Sequence, residues 1–268
     1  MKKYFKMLWR CILYFAIYYL SQICSSYIYS VILVKKYNIT TADKLDELLY
    51  KNSYIILVPA AVVSILIYYL LLKMRKESFA KRCSFIRLQK GVKNNVFILA
   101  LAAGSISTSI VYFTQNIFKD YAEVSKNMSA GLTSLPGILA VIIIAPILEE
   151  ILFRGLIFNE LRENLNIVVS LIIQAAFFGL AHGNSLQGIY AFILGIIAGL
   201  IYVWTKSIYA NMLLHITFNL SGTFIFPILM YYTQKFSLIY LGLGVIFTVV
   251  YMLKIYNKRT ARTLQLEQ

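Results

Sequence analysis

The stretch "APILEEILFRGLIF", residues 145–158, sets two adjacent carboxylates, Glu149 and Glu150, inside an otherwise apolar run, with Arg154 one turn later. For a dozen positions upstream nearly every residue is Ile, Leu, Val, Ala, Gly or Pro. A carboxylate at the centre of a bilayer costs ~2.5–3.5 kcal/mol on insertion scales. If this run crosses a membrane, each carboxylate needs a partner, a proton or a water-filled cavity.

The rest of the chain says that it does cross one. The 268 residues are 60% hydrophobic and only 14% charged, with a mean hydropathy of +0.72. Too little polar surface remains for a soluble domain of this size, and apolar runs near or above ~18 residues recur throughout. The reading is an all-α, polytopic transmembrane bundle of about eight helices. The spans fall at roughly 9–33, 53–72, 95–114, 136–157, 167–183, 187–204, 208–229 and 236–254. The first follows "MKKYFKMLWR", but its apolar stretch is too long for a signal peptide and no small-residue cleavage site follows, so it is read as a retained helix.

Lys and Arg fix the expected orientation. With eight spans, the basic N-terminus (Lys2, Lys3, Lys6, Arg10), the loop 73–93 and the tail (Lys254, Lys258, Arg259, Arg262) share one side with Arg154, Arg162 and Lys206. The other side receives Asp43, Asp46, Glu47, Asp120 and Glu123. Both termini are predicted to be cytoplasmic, in the multi-pass cell membrane of a bacterium. The net charge of +15 is thus distributed by topology and attracts anionic lipid, not nucleic acid. Loop 73–93, with Phe79, Phe85, Ile86 and Leu88 among its cations, reads either as an amphipathic segment on the membrane surface or as an ordinary positive-inside loop. Cys11, Cys24 and Cys83 are scattered and form no disulfide or metal pattern.

Low-complexity segments and internal repeats are absent. Three regions are expected: N-terminal helices with the basic loop over 1–130, a chemical core over 131–230, and a last helix with a basic tail over 231–268. Residues 136–229 hold both histidines of the chain and the two intramembrane glutamates. In the same region "AFILGIIAGL" repeats Ala191, Gly195 and Gly199 every four residues, a stripe for close helix packing.

Helical spacing separates the two carboxylates. Glu150 and Arg154 are i, i+4 and share a face, so an ion pair is expected. Glu149 points about 100° away, toward a cavity, where it has the profile of a general base. Pro146 removes a backbone donor and predicts a kink there. The next span carries Phe178 and His182 at i, i+4, and the midpoint between Glu149 and His182 falls at the "RENLN" turn, 162–166. An antiparallel hairpin would set carboxylate and imidazole at nearly equal depth. His215 opens "HITFN", with Asn219 one turn on. If span six crosses fully, His215 lies ~10 Å nearer the cytoplasm than His182, at 1.5 Å per residue. A tilted or short sixth helix, or a re-entrant 183–187 loop, would close that gap.

"EEILFR" (149–154), "FGLAH" (178–182) and "HITFN" (215–219) together resemble the CPBP family, the CAAX-prenyl-protease and bacteriocin-processing enzymes also called Abi. The three motifs stand in the family's order within about 131–230. The resemblance implies an intramembrane endopeptidase in which Glu149 activates water, His182, His215 and Asn219 bind the water or the oxyanion, and Glu150, Arg154 and Phe178 support them. A Glu149/His182/His215 set could hold zinc with one open position. With no H-E-x-x-H pair, and with the family read as a glutamate-type enzyme, no metal or other cofactor is expected. The implied partners are a membrane-associated peptide or protein substrate and the lipid bilayer, in bacteriocin self-immunity, peptide-pheromone maturation or surface-protein regulation. The competing reading is a non-catalytic scaffold or immunity protein that binds a peptide or regulatory partner. A proton-relaying transporter would need inverted repeats, and none is seen.

Overall fold

In hydrocarbon every backbone N–H and C=O must be satisfied within its own segment, and the chain answers with helix throughout. The computed structural model describes residues 2–118 and 120–266, with side chains to 259, and among them there is no strand. The helices are α1 (Lys2–Tyr37), α2 (Ala42–Lys51), α3 (Ser53–Met74), α4 (Phe79–Arg82), α5 (Val92–Thr114), α6 (Tyr121–Gly131), α7 (Leu135–Arg162), α8 (Ile167–Leu180), α9 (Ser185–Thr205), α10 (Ile208–Tyr232) and α11 (Ser237–Leu266). Residues 267 and 268, where the expected third region ends, lie outside the described residues.

Seven of these are long and apolar enough to cross a membrane: α1, α3, α5, α7, α9, α10 and the stretch Gln234–Arg259. The protein is a multi-pass, all-helical membrane protein. The remaining expected span, 167–183, is realised as α8, an apolar helix of 14 residues. At 1.5 Å per residue it reaches ~21 Å, short of the ~30 Å hydrocarbon core.

The chain divides into two compact units, one made of Met1–Cys83 with Asp120–Leu165, the other of Ser84–Lys119 with Asn166–Gln268. In the first, α1 packs along α3 and α7, while α2 packs on α6. Its interior is unusually rich in tyrosine. The Tyr14 and Tyr68 rings meet edge to face at 5.9 Å, the Tyr68 hydroxyl donates to the Tyr14 carbonyl, and Ser21 and Ser64 share a hydrogen bond of 2.6 Å. In the second unit α5 packs on α10 and α11, and α8 lies along α9. The small-residue stripe makes that last approach possible. A Cβ on Gly195 would stand 2.9 Å from the Ala175 Cα.

Between α3 and α5 the basic loop forms one short helix, Phe79–Arg82, and Arg75 and Arg82 reach Glu160 near the end of α7, at 3.3 and 2.8 Å. Arg10 reaches the same carboxylate at 2.9 Å. Glu160 is buried, so three guanidinium groups offset a charge that would otherwise be costly to desolvate.

Candidate active site

The predicted constellation is divided between the two units. Glu149, Glu150 and Arg154 belong to the first, and Phe178, His182, His215 and Asn219 to the second.

In the first unit α7 does not break at Pro146. It runs on as a helix that alternates between α and π turns: π over Ala140–Ile144, α over Ala145–Glu150, and π over Ile151–Phe158. Pro146, in the first turn of the α segment, has no N–H to return to the preceding turn, and wider turns take up the mismatch where a kink was expected. Such π turns are frequent at functional sites. All eight residues of the second π segment are buried, Arg154 among them.

Arg154 Nη1 donates to Glu150 Oε1 at 2.9 Å, and both side chains are essentially inaccessible. The expected i, i+4 pair therefore forms. Glu149, one residue earlier, is only half-buried. Its Oε1 accepts from the hydroxyl of Tyr18, on α1, at 3.3 Å. Sequence spacing could not reveal that partner, because Tyr18 lies 131 residues away and is one of 21 tyrosines.

In the second unit α8 ends at Leu180, so His182 sits on the turn beyond it and not on the helix where the i, i+4 reading had placed it. Its backbone N–H donates to the Gly179 carbonyl. Its Nδ1 lies 2.9 Å from the Phe178 carbonyl oxygen. A carbonyl only accepts, so Nδ1 carries the proton and donates, leaving Nε2 as the reactive nitrogen. His215, on α10, is buried. The Phe178 ring meets His182 at 5.1 Å and His215 at 5.5 Å between centroids, both edge to face. The difference in depth that spacing predicts for the two histidines is thus bridged by one phenyl ring. Asn219 follows His215 by one turn and is half-buried, and α10 passes into a π segment, Ser221–Ile225, two residues further on.

Two buried amides, silent in the sequence, hold this half together. Gln174 of α8 donates to the Gly195 carbonyl at 2.8 Å, and Asn211 of α10 donates to the Ala198 carbonyl at 2.7 Å. Both acceptors are on α9, so α8, which leads into the His182 turn, and α10, which carries His215, are tied to one backbone. Among the described residues of either unit, no three His, Cys, Asp or Glu side chains converge as a cation would require.

Residues 131–221 match the family model described as "Type II CAAX prenyl endopeptidase Rce1-like". The chain is also 30% identical, over 127 residues, to a Bacillus subtilis (strain 168) protein named "Putative membrane peptidase YdiL", an alignment covering 46% of this chain and 50% of that one. The chain thus spans half the length of this relative. No solved structure matches it. The matched region holds the Glu-Glu-x-x-x-Arg, Phe-x-x-x-His and His-x-x-x-Asn motifs, with the arginine pairing the second glutamate and the phenylalanine touching both histidines. Over this region the chain is similar to the type II CAAX prenyl endopeptidase family.

Proposed function

We propose that the protein is an intramembrane endopeptidase that hydrolyses a peptide bond in a membrane-associated peptide or protein. The observation that carries this reading is the different fate of two neighbouring carboxylates. Glu150 is committed to Arg154, whereas Glu149 is half-buried and held by a neutral phenol. A general base must reach the water it deprotonates, and the half-buried Glu149 is more accessible than the inaccessible Glu150.

In the proposed reaction Glu149 takes a proton from water as the water oxygen bonds to the scissile carbonyl carbon. The oxyanion so formed is met by the Asn219 amide, which donates without any change of protonation. His215 stands one turn away and assists. His182, with Nδ1–H engaged by the Phe178 carbonyl, offers Nε2. Neutral, it accepts from the attacking water; protonated, it donates to the oxyanion. Collapse of the intermediate breaks the C–N bond, and the proton held by Glu149 passes to the leaving amine. No metal enters this scheme.

The basic loops put both termini in the cytoplasm, with the reaction centre on the cytoplasmic half of the bilayer. A role in bacteriocin self-immunity, peptide-pheromone maturation or surface-protein regulation suits a bacterial membrane protein of this family. The test is a comparison of wild type with Glu149→Gln in native membranes, by peptidomics of cells and medium. Loss of a general base costs ~10²–10⁴-fold in rate. A cleavage product present in wild type should therefore vanish in a variant that accumulates normally. If Glu149→Gln yields the same peptides and phenotype as wild type, the protein works by binding and the proteolytic reading is wrong.

A further inference from the structure

Tyr18 is 7% exposed, in the middle of α1. Its ring is met edge to face by Tyr19 at 5.2 Å and by the fully buried Phe153 of α7 at 6.5 Å. The main chain beside it is pinned as well. Its carbonyl accepts from Ser21 Oγ and Gln22 Nε2, and Ser21 Oγ in turn bonds Ser64 of α3. A phenylalanine would fill the same space. What the tyrosine adds is one hydroxyl, and the acceptor recorded for it is Glu149 Oε1 at 3.3 Å.

A buried phenol normally has a partner, but the choice of partner matters here. Arg154 supplies positive charge to Glu150. A phenol orients a carboxylate through one oxygen without adding charge. From these contacts we infer that Tyr18 is a positioning residue for the general base: its hydroxyl holds the Glu149 carboxylate through Oε1. The inference rests on the proteolytic reading above. Groups that interact electrostatically with Glu149 within this unit include Tyr18 and Tyr19 from α1 and Arg154 from its own helix. Tyr68 of α3 is committed to the Tyr14 carbonyl. Tyr18 donates to Glu149.

The test uses the full chain in phosphatidylethanolamine–phosphatidylglycerol vesicles and two readouts. The first is the rate at which dicyclohexylcarbodiimide, which adds to protonated carboxyls in apolar surroundings, modifies Glu149, resolved from Glu150 by mass spectrometry. Tyr18→Phe, which keeps the ring contacts, should speed that modification several-fold. Replacing Tyr18 with 3,5-difluorotyrosine, a stronger donor, should slow it. A residue that only packs would not produce opposite shifts. The second readout is hydrolysis of an internally quenched peptide spanning the cleavage site mapped with Glu149→Gln, where Tyr18→Phe should lower kcat and leave KM unchanged. Equal carbodiimide rates in all three proteins would overturn the inference. So would altered carbodiimide rates with unchanged kcat. If wild type cleaves nothing, the positioning role falls with the proteolytic reading. An altered carbodiimide rate would still show that the phenol holds the carboxylate, so the two failures are told apart.

Discussion

Arg154 is fully buried and pairs with Glu150, four residues before it. Removing one member of such a pair leaves the other charged and desolvated, which typically costs ~3–5 kcal/mol, whereas replacing both by apolar groups of similar shape is often neutral. Arg154→Met should therefore lower the melting temperature in detergent sharply, and Glu150→Met/Arg154→Met should restore most of it. A double variant no more stable than the single would mean the two residues do not act as a pair. Cys83 makes a second residue-scale case. Burial pushes its thiol up to about 12, although the Arg82 guanidinium pulls the other way. The folded state thus keeps a proton that the unfolded chain loses near the ordinary thiol value. Stability from this group is complete below that value and is lost as pH rises toward about 12. At pH 8 a maleimide should leave Cys83 unmodified until denaturant is added, as read by intact mass.

At the scale of elements, the contact between α8 and α9 is set by glycines whose Cβ positions are already occupied. At Gly195 the obstacle includes the Ala175 backbone, at 2.9 Å, which cannot step aside. At Gly199 it is the far end of Leu171, at 2.3 Å, with the Gln174 amide at 2.9 Å. Gly195→Ala should cost ~1–3 kcal/mol, the usual penalty for overpacking, and Gly199→Ala less, because a leucine methyl can rotate away. Melting curves of the two variants decide it, and equal losses would refute the distinction. The stripe was legible as a period of four residues. Which neighbour it meets was not, because that depends on helices folding back on one another. In α7, likewise, Pro146 announced a disturbance, but not that it would take the form of wide turns on either side.

For the whole molecule the open arithmetic is one of parity. Seven long spans alone would leave the termini on opposite sides, and α8 makes the count even only if its 14 residues and the turn that holds His182 complete a crossing. The Lys and Arg distribution predicts that both termini are cytoplasmic. A C-terminal green fluorescent protein fusion should therefore fluoresce and an alkaline phosphatase fusion at the same site should be inactive. The reverse pattern would mean that α8 does not cross.

What the sequence determined by itself was the solvent, the helical class, most of the spans and the chemical character of the core. Each follows from local composition and from periods of three to four residues, which a chain displays without folding. The Glu150–Arg154 pair was equally legible, since one helical turn is a local rule. Only the tertiary structure decided that Tyr18 reaches Glu149, that Phe178 touches both histidines, that Gln174 and Asn211 bind the α9 backbone, and that Glu160 gathers Arg10, Arg75 and Arg82. These partners are separated by 13 to 150 residues along the chain or by a turn whose end the sequence did not mark. They meet because buried polar groups in a membrane protein must find one another across helices, and no local pattern records which they will find.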